Sequence, residues 1–188
     1  MIHHLKKPGK IGLVLANGAL SAQTRGEGEI RRKIIEDDLI EGIVAMPPQL
    51  FYSVTIPVTL WFITKGKKQK GKTLFIDARK MGHMIDRKHR DLTPEEIQKL
   101  ADTFTQFQQG TLENVKGFCA VVTTEDIGKQ DYILTPGRYV GIEEQPDDGE
   151  PFEEKMTRLT KELSGLFEES HKLEEEIRKN LGAIGYDL

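Results

Sequence analysis

Apolar and polar positions divide this chain into three regimes. From Lys10 to Ile76, short apolar runs with little internal alternation are separated by polar breaks. Strands covered on both faces read this way, whereas half-buried strands alternate. The runs Lys10–Ala16, Leu39–Met46, Ile56–Thr64 and Thr73–Ile76 are therefore expected to be buried strands, and their β-branched and aromatic residues suit a pleated sheet. Between the first two, Gly26 to Asp38 places Ile30, Ile34 and Ile35 on one side of a short amphipathic helix. Strand, helix, strand is the α/β signature. Pro47 to Thr55 is too short for a crossover helix, so the strands flanking it should pair antiparallel. The expectation is a mostly parallel sheet that ends in an antiparallel pair.

The second regime is polar and irregular. Thr93-Pro94-Glu95-Glu96 is a helix start, with Thr as cap and Pro at the first position, and the helix runs to about Phe107. Phe118–Thr123 is a short apolar run, Thr124–Gly128 and Ile133–Val140 are turn segments, and Gln145–Gly149 is an acidic linker. The third regime, Pro151 to about Gly182, is one long helix. Phe152, Met156, Leu159, Leu163, Leu166, Leu173 and Ile177 fall at alternating four- and three-residue steps, with Ser170 in the vacant place. That is the seam of a coiled coil or helical bundle. A one-sided stripe along roughly 45 Å of helix must bury against its own domain or against a partner's helices. The expected organisation is a domain over residues 1–141 with a basic insertion at 65–92, a linker over 142–150, and the heptad helix over 151–188.

Composition narrows the classes. With 188 residues, 37% hydrophobic and 30% charged, the chain suits one domain plus an appended element. The single cysteine, Cys119, excludes a disulfide framework. No apolar run approaches the roughly 18 residues that cross a bilayer, and MIHHLKKPGK lacks the apolar core of a signal peptide. A cytoplasmic protein with no membrane partner is expected. The net charge of -3 conceals a division: residues 1–94 carry 17 Lys and Arg against 9 Asp and Glu, and the remainder is acidic. Either two surfaces face different partners, or one domain has two differently solvated faces.

Candidate chemistry is sparse. Phe51 and Tyr52 follow Pro47 and Pro48, where the chain leaves the sheet. Such aromatics either pack into the core or stack on a flat ligand such as a nucleobase. Lys65, Lys67, Lys68, Lys70, Arg87, Lys88 and Arg90 either contact a phosphate backbone or are solvated loop charges. Gly26-Glu27-Gly28-Glu29 is no phosphate loop, because the third glycine is missing and two glutamates would face the anion. In Ala45-Met46-Pro47-Pro48-Gln49, Met46 stands where an amine acceptor would be needed, and a thioether cannot serve. His3, His4, His83, His89 and His171 are not spaced as metal ligands, and Ser53 and Ser164 lack a nucleophile elbow, so no metal and no catalytic residue is assigned.

PGKIGLVLANGALS, GEIRRKIIEDDLIEGIVAMPPQLFYSVTIPVTLWFITKGK, YILTPGRYVG and a terminal heptad helix, in this order, resemble the modification subunit of type I restriction–modification systems, a family of adenine-N6 DNA methyltransferases. The resemblance covers the C-terminal portion of such subunits. It implies the late half of a Rossmann-like methyltransferase sheet, with Lys10–Ala16, Leu39–Met46 and Ile56–Thr64 as fifth, sixth and seventh strands and the last one reversed. The family's S-adenosylmethionine loop and its Asn/Asp-Pro-Pro-aromatic motif are absent, so the resemblance implies a truncated product or fragment that neither binds the cofactor nor methylates alone. Ile2 to Lys7, which reads as the last turn of a helix, fits that expectation. Phe51 matches the aromatic that stacks on the extruded adenine, with Tyr52 one position away. Asn17 and Gly18, which end a strand on the same rim, are expected to border the pocket. The heptad helix matches the region that meets the DNA-specificity subunit. Expected partners are DNA, the specificity and restriction subunits, the missing N-terminal half, and a second copy of the chain. The competing reading is a non-catalytic, DNA-associated module that docks through its helix.

Overall fold

The computed structural model describes residues 1–7, 9–143 and 151–186. Two compact units result, Met1–Glu144 and Gln145–Leu188. The linker expected over 142–150 lies, from residue 144 onward, outside the described residues.

The first unit is built on a five-stranded sheet. Its strands are β1 (Lys10–Ala16), β2 (Ile40–Ala45), β3 (Val58–Thr64), β4 (Lys72–Asp77) and, after a two-stranded hairpin of β5 (His83–Met84) and β6 (Arg90–Asp91), β7 (Cys119–Thr123). The spatial order is β1-β3-β2-β4-β7. Strands β2 and β3 pair antiparallel, as their short connection requires. The sheet is nevertheless mostly antiparallel, which corrects the expected parallel majority. Strand β3 inserts between β1 and β2 and runs against both, and β7 runs against β4; only β2 and β4 are parallel neighbours. The reversed pair thus lies inside the sheet rather than at its end. Strands β1, β2 and β4 still point the same way, so Asn17, Met46 and Ala78 leave the sheet on one rim.

Helix α1 (Glu27–Glu36) covers one face, where Ile35, Ile43, Trp61, Ile63, Phe75 and Leu134 form a core. Helix α2 (Pro94–Gln109) covers the other, setting Phe107 over Val44, Val58, Leu74 and Ile76. Thr93 and Glu96 close the expected helix start with a reciprocal capping box. Gly42 lets the Phe104 ring approach β2 closely, since a Cβ there would sit 3.1 Å from the ring. A single turn, α3 (Thr124–Gly128), follows β7. The Ile133–Val140 segment closes the α1 side: Tyr139 stacks on Phe75 at 4.2 Å, and Leu134 donates its N–H to the Leu20 carbonyl.

Two expectations fail at the β1 side. Strand β1 is not buried; its residues alternate between exposed and half-buried, because it is an edge strand whose outer neighbour is absent among the described residues. Ile30 of α1 is exposed and does not join Ile34 and Ile35 in the core. Both line an open apolar hollow of about 950 Å³ with Ile11, Leu13, Leu15 and Trp61.

The second unit is α4 (Phe152–Ala183), 32 residues with no buried side chain. No helix among the described residues is long and apolar enough to cross a membrane.

Candidate nucleic-acid interface

The aromatic loop lies between β2 and β3 on the rim where β1, β2 and β4 end. Pro47 and Pro48 remove two backbone donors and cannot extend the β2 ladder. Gln49 then takes the left-handed conformation at φ 67 and reverses the chain. A bridge between Phe51 and Val54 and the Gln49 N–H to Thr55 carbonyl bond of 3.3 Å close the loop. Leu50 anchors it against the α2-side core. Phe51 and Tyr52, the next residues, point outward and are 43% and 87% exposed. Neither ring is used by the core.

The β5–β6 hairpin stands beside this loop. Arg90 donates its N–H to the Gln49 carbonyl at 2.9 Å. The His89 ring packs on Tyr52 with centroids 4.7 Å apart. Asp86 accepts the N–H groups of Lys88 and His89 at 2.7 and 2.8 Å, and meets His89 Nδ1 at 2.5 Å. These bonds, led by the one to His89, hold the Asp86 carboxyl down at about 2. Arg87 and Lys88, between them at the hairpin tip, are exposed.

The other basic candidates divide. Lys68 and Lys70 are exposed. Lys67 is not available to a phosphate: its side chain is 1% exposed and its Nζ lies 2.6 Å from Asp38 Oδ1. Burial pushes its ammonium down against the upward pull of Asp38. Lys65 donates to the Leu5 carbonyl at 2.7 Å, and Arg90 spends Nη1 on the carbonyls of Met81 and Gly82 at 3.0 and 2.9 Å. Lys67 is therefore a correction, a cation in a basic run that is buried, whereas Lys65 and Arg90 are half-buried and already bonded to carbonyls. Asn17 and Gly18 open a short turn at the end of β1; Gly18 lines the apolar hollow, whereas the aromatics stand at the hairpin. Arg31 was invisible to sequence reading. It is buried in α1 and donates to the carbonyls of Ala22 and Tyr132 at 2.5 and 3.2 Å, and burial lowers its pKa.

Among the described residues no group of three or more His, Cys, Asp or Glu could hold a metal. Residues 26–28 do not fit a glycine-rich cofactor loop. Gly28 lies within the first turn of α1 with a Cβ position only 2.0 Å from Gln23 Oε1, and Glu27 and Glu29 occupy the helix N-terminus that would have to face an anionic group.

The profile of the N-6 DNA methylase family matches residues 1–148. The chain belongs to that family. The HindI methylase subunit of a type I restriction enzyme from Haemophilus influenzae is 52% identical over 188 residues, all of this chain and 42% of that protein. The MjaIX methylase subunit of a type I restriction enzyme from Methanocaldococcus jannaschii is 49% identical over 190 residues, 98% of this chain and 34% of that protein. In structure, the type I restriction-modification system methyltransferase subunit from Streptococcus thermophilus superposes with a TM-score of 0.67 at 26% identity, over 76% of this chain and 29% of that one. The chain therefore spans less than half the length of these curated relatives. The fold is that of type I methyltransferase subunits, in mixed α/β form with a C-terminal helix.

Along α4, Phe152, Met156, Leu159, Leu163, Leu166, Leu173 and Ile177 are all exposed, from 43% at Met156 and Leu159 to 75% at Phe152. The stripe is intact, and no element among the described residues of its own unit covers it.

Proposed function

We propose that this chain is the part of a type I methylase subunit that receives the target adenine, within an enzyme that moves a methyl group from S-adenosylmethionine to adenine N6. One observation carries the reading: two aromatic rings stand exposed on a closed loop at the rim where three strands end. An extruded adenine has lost its stacking in the duplex, and a ring at such a rim restores part of it, on the order of 1–3 kcal/mol. Phe51 or Tyr52 supplies that ring. Lys68, Lys70, Arg87 and Lys88 supply phosphate contact. The chain's own residues fit no methyl donor, so the cofactor belongs to the remainder of the subunit, and the isolated chain neither binds it nor methylates DNA. That remainder packs along the open edge of β1 and into the hollow beside it. The α4 stripe docks on the specificity subunit's helices, and the restriction subunit is a further partner of the complex.

The test is complementation. The polypeptide matching the rest of the Haemophilus influenzae relative is added to this chain, and transfer of labelled methyl groups to adenine is measured. Transfer should appear only with both parts and fall when Phe51→Ala and Tyr52→Ala are combined. The exposed α4 stripe favours a second reading, a docking module without chemistry. Unchanged transfer with both rings removed, together with loss of assembly on Leu159→Asp and Leu163→Asp, would establish that reading instead.

A further inference from the structure

We infer that the β5–β6 hairpin is part of the base-receiving site, with His89 as a positioning residue that holds Tyr52 and with the cationic tip linking phosphate grip to the pose of that ring. The inference rests on the aromatic-loop reading above. An 87% exposed tyrosine on a loop samples several rotamers unless one side of its ring is supported. His89 gives that support at 4.7 Å. His89 is itself fixed, because its backbone N–H and its Nδ1 both meet the Asp86 carboxylate. The loop's turning residue is tied to the same hairpin by the Arg90 N–H to Gln49 carbonyl bond.

The hairpin is anchored in turn to the body of the unit. Arg90 Nη1 clamps the carbonyls of Met81 and Gly82. Gly82, at φ +81 and with no room for a Cβ against the Asp91 carbonyl, donates its N–H to Glu96 Oε1 at 2.6 Å. Glu96 also accepts from Thr93 N–H at the start of α2. Fixed contacts thus run from α2 through the hairpin to Tyr52, and Arg87 and Lys88 project from the same rigid piece. A duplex held by those two cations is held in a set relation to the ring. Placing the positive charge there does two things: it grips the backbone and it registers the extruded base on the ring.

The probe is a short duplex carrying a single 2-aminopurine opposite cytosine, a mispaired base that leaves the stack cheaply and needs no recognition sequence. Quenching of its fluorescence by the 188-residue chain reports stacking on a protein ring. His89→Ala should raise the quenching midpoint about three- to tenfold, the worth of one aromatic pair, and His89→Phe should restore it, with the thermal unfolding midpoint unchanged in both. Arg87→Ala with Lys88→Ala, a surface change that cannot unfold the unit, should weaken affinity and also lower the quenching reached at saturation. If Phe51→Ala and Tyr52→Ala abolish quenching while His89→Ala and the tip variant leave it at the native level, the hairpin has no positioning role and the stacking reading stands. If the wild-type chain does not quench, or all variants quench alike, the stacking reading falls and this inference falls with it.

Discussion

Removing Asp38 should harm this protein more than removing its partner Lys67, although both belong to one ion pair. The asymmetry follows from burial. The Lys67 side chain is 1% exposed and the Asp38 side chain 24%. Asp38 also accepts the Gly71 N–H at 3.0 Å and has Lys70 Nζ at 3.8 Å. Lys67→Met replaces the buried ammonium with a chain of similar length, and the carboxylate left behind keeps a backbone donor, water and a second cation. The cost should be about 1 kcal/mol or less. Asp38→Asn keeps the left-handed backbone, φ 54 at this position, which Asn adopts readily. It removes the ammonium's hydrogen-bonded counter-charge and leaves it only the attraction of Glu41. Loss of one partner of a buried pair costs roughly 3–5 kcal/mol; deprotonation of a lysine whose pKa is already lowered relieves part of that, so about 2 kcal/mol is expected. Urea unfolding of the 188-residue chain measures both. The same Lys67→Met variant should bind DNA with an unchanged salt slope, whereas Lys68→Ala and Lys70→Ala each reduce the slope by about 0.9 if each meets a phosphate. Equal destabilisation by the two substitutions, or a slope change with Lys67→Met, would refute the placement of Lys67 in the interior.

Thr93→Ala removes one half of the α2 capping box and should cost about 1 kcal/mol in the same unfolding assay. Tyr139, whose phenol burial pushes up to about 12, makes folding less stable as pH rises: the unfolded phenol ionises from about pH 10 and the folded one later, so stability is lost between those values, and Tyr139→Phe should flatten that loss in pH-dependent unfolding. Leu159→Asp with Leu163→Asp should reduce self-association in light scattering and leave the unfolding of residues 1–143 unchanged. Calorimetric titration of the isolated chain with S-adenosylmethionine should give no saturable heat; micromolar binding would overturn the division of labour proposed here.

How far the chain could be read depends on the range of the determinant. Helix α2 was legible because Thr93, Pro94 and Glu96 act within one turn. The antiparallel β2–β3 pair was legible because the nine residues Pro47–Thr55 between the expected strands are too few for a crossover helix. The place of β3 was not, since insertion between β1 and β2 is decided by contacts with Ile11, Leu13 and Leu15 far earlier in the sequence. Burial of Lys67 was hidden for a similar reason. Nothing in GKKQK distinguishes its first lysine; an aspartate 29 residues earlier selects it. Between β2 and β3, two prolines before two aromatics announced a turn but left open whether the rings face the core or solvent; no local pattern tied Tyr52 to His89, and the hairpin between Gly82 and Asp91 read only as basic sequence.

The two uncovered apolar surfaces differ in what covering them would do. Ile11, Leu13, Leu15 and Ile34, which line the hollow, also pack against the α1-side core. A segment filling the hollow therefore adds to an existing cooperative cluster, and its apolar contact, at about 25 cal/mol per Å², contributes to the folding of the whole first unit. The α4 stripe shares no buried residue with any core in its own unit. Docking there stabilises a single helix, whose charged flanks keep it solvated when free. The first surface has the character of a domain's own interior left open, and the second that of an interface between separate chains. The aromatic loop and its hairpin belong to neither surface. They are held by bonds internal to residues 1–143, so their arrangement does not depend on either surface being covered.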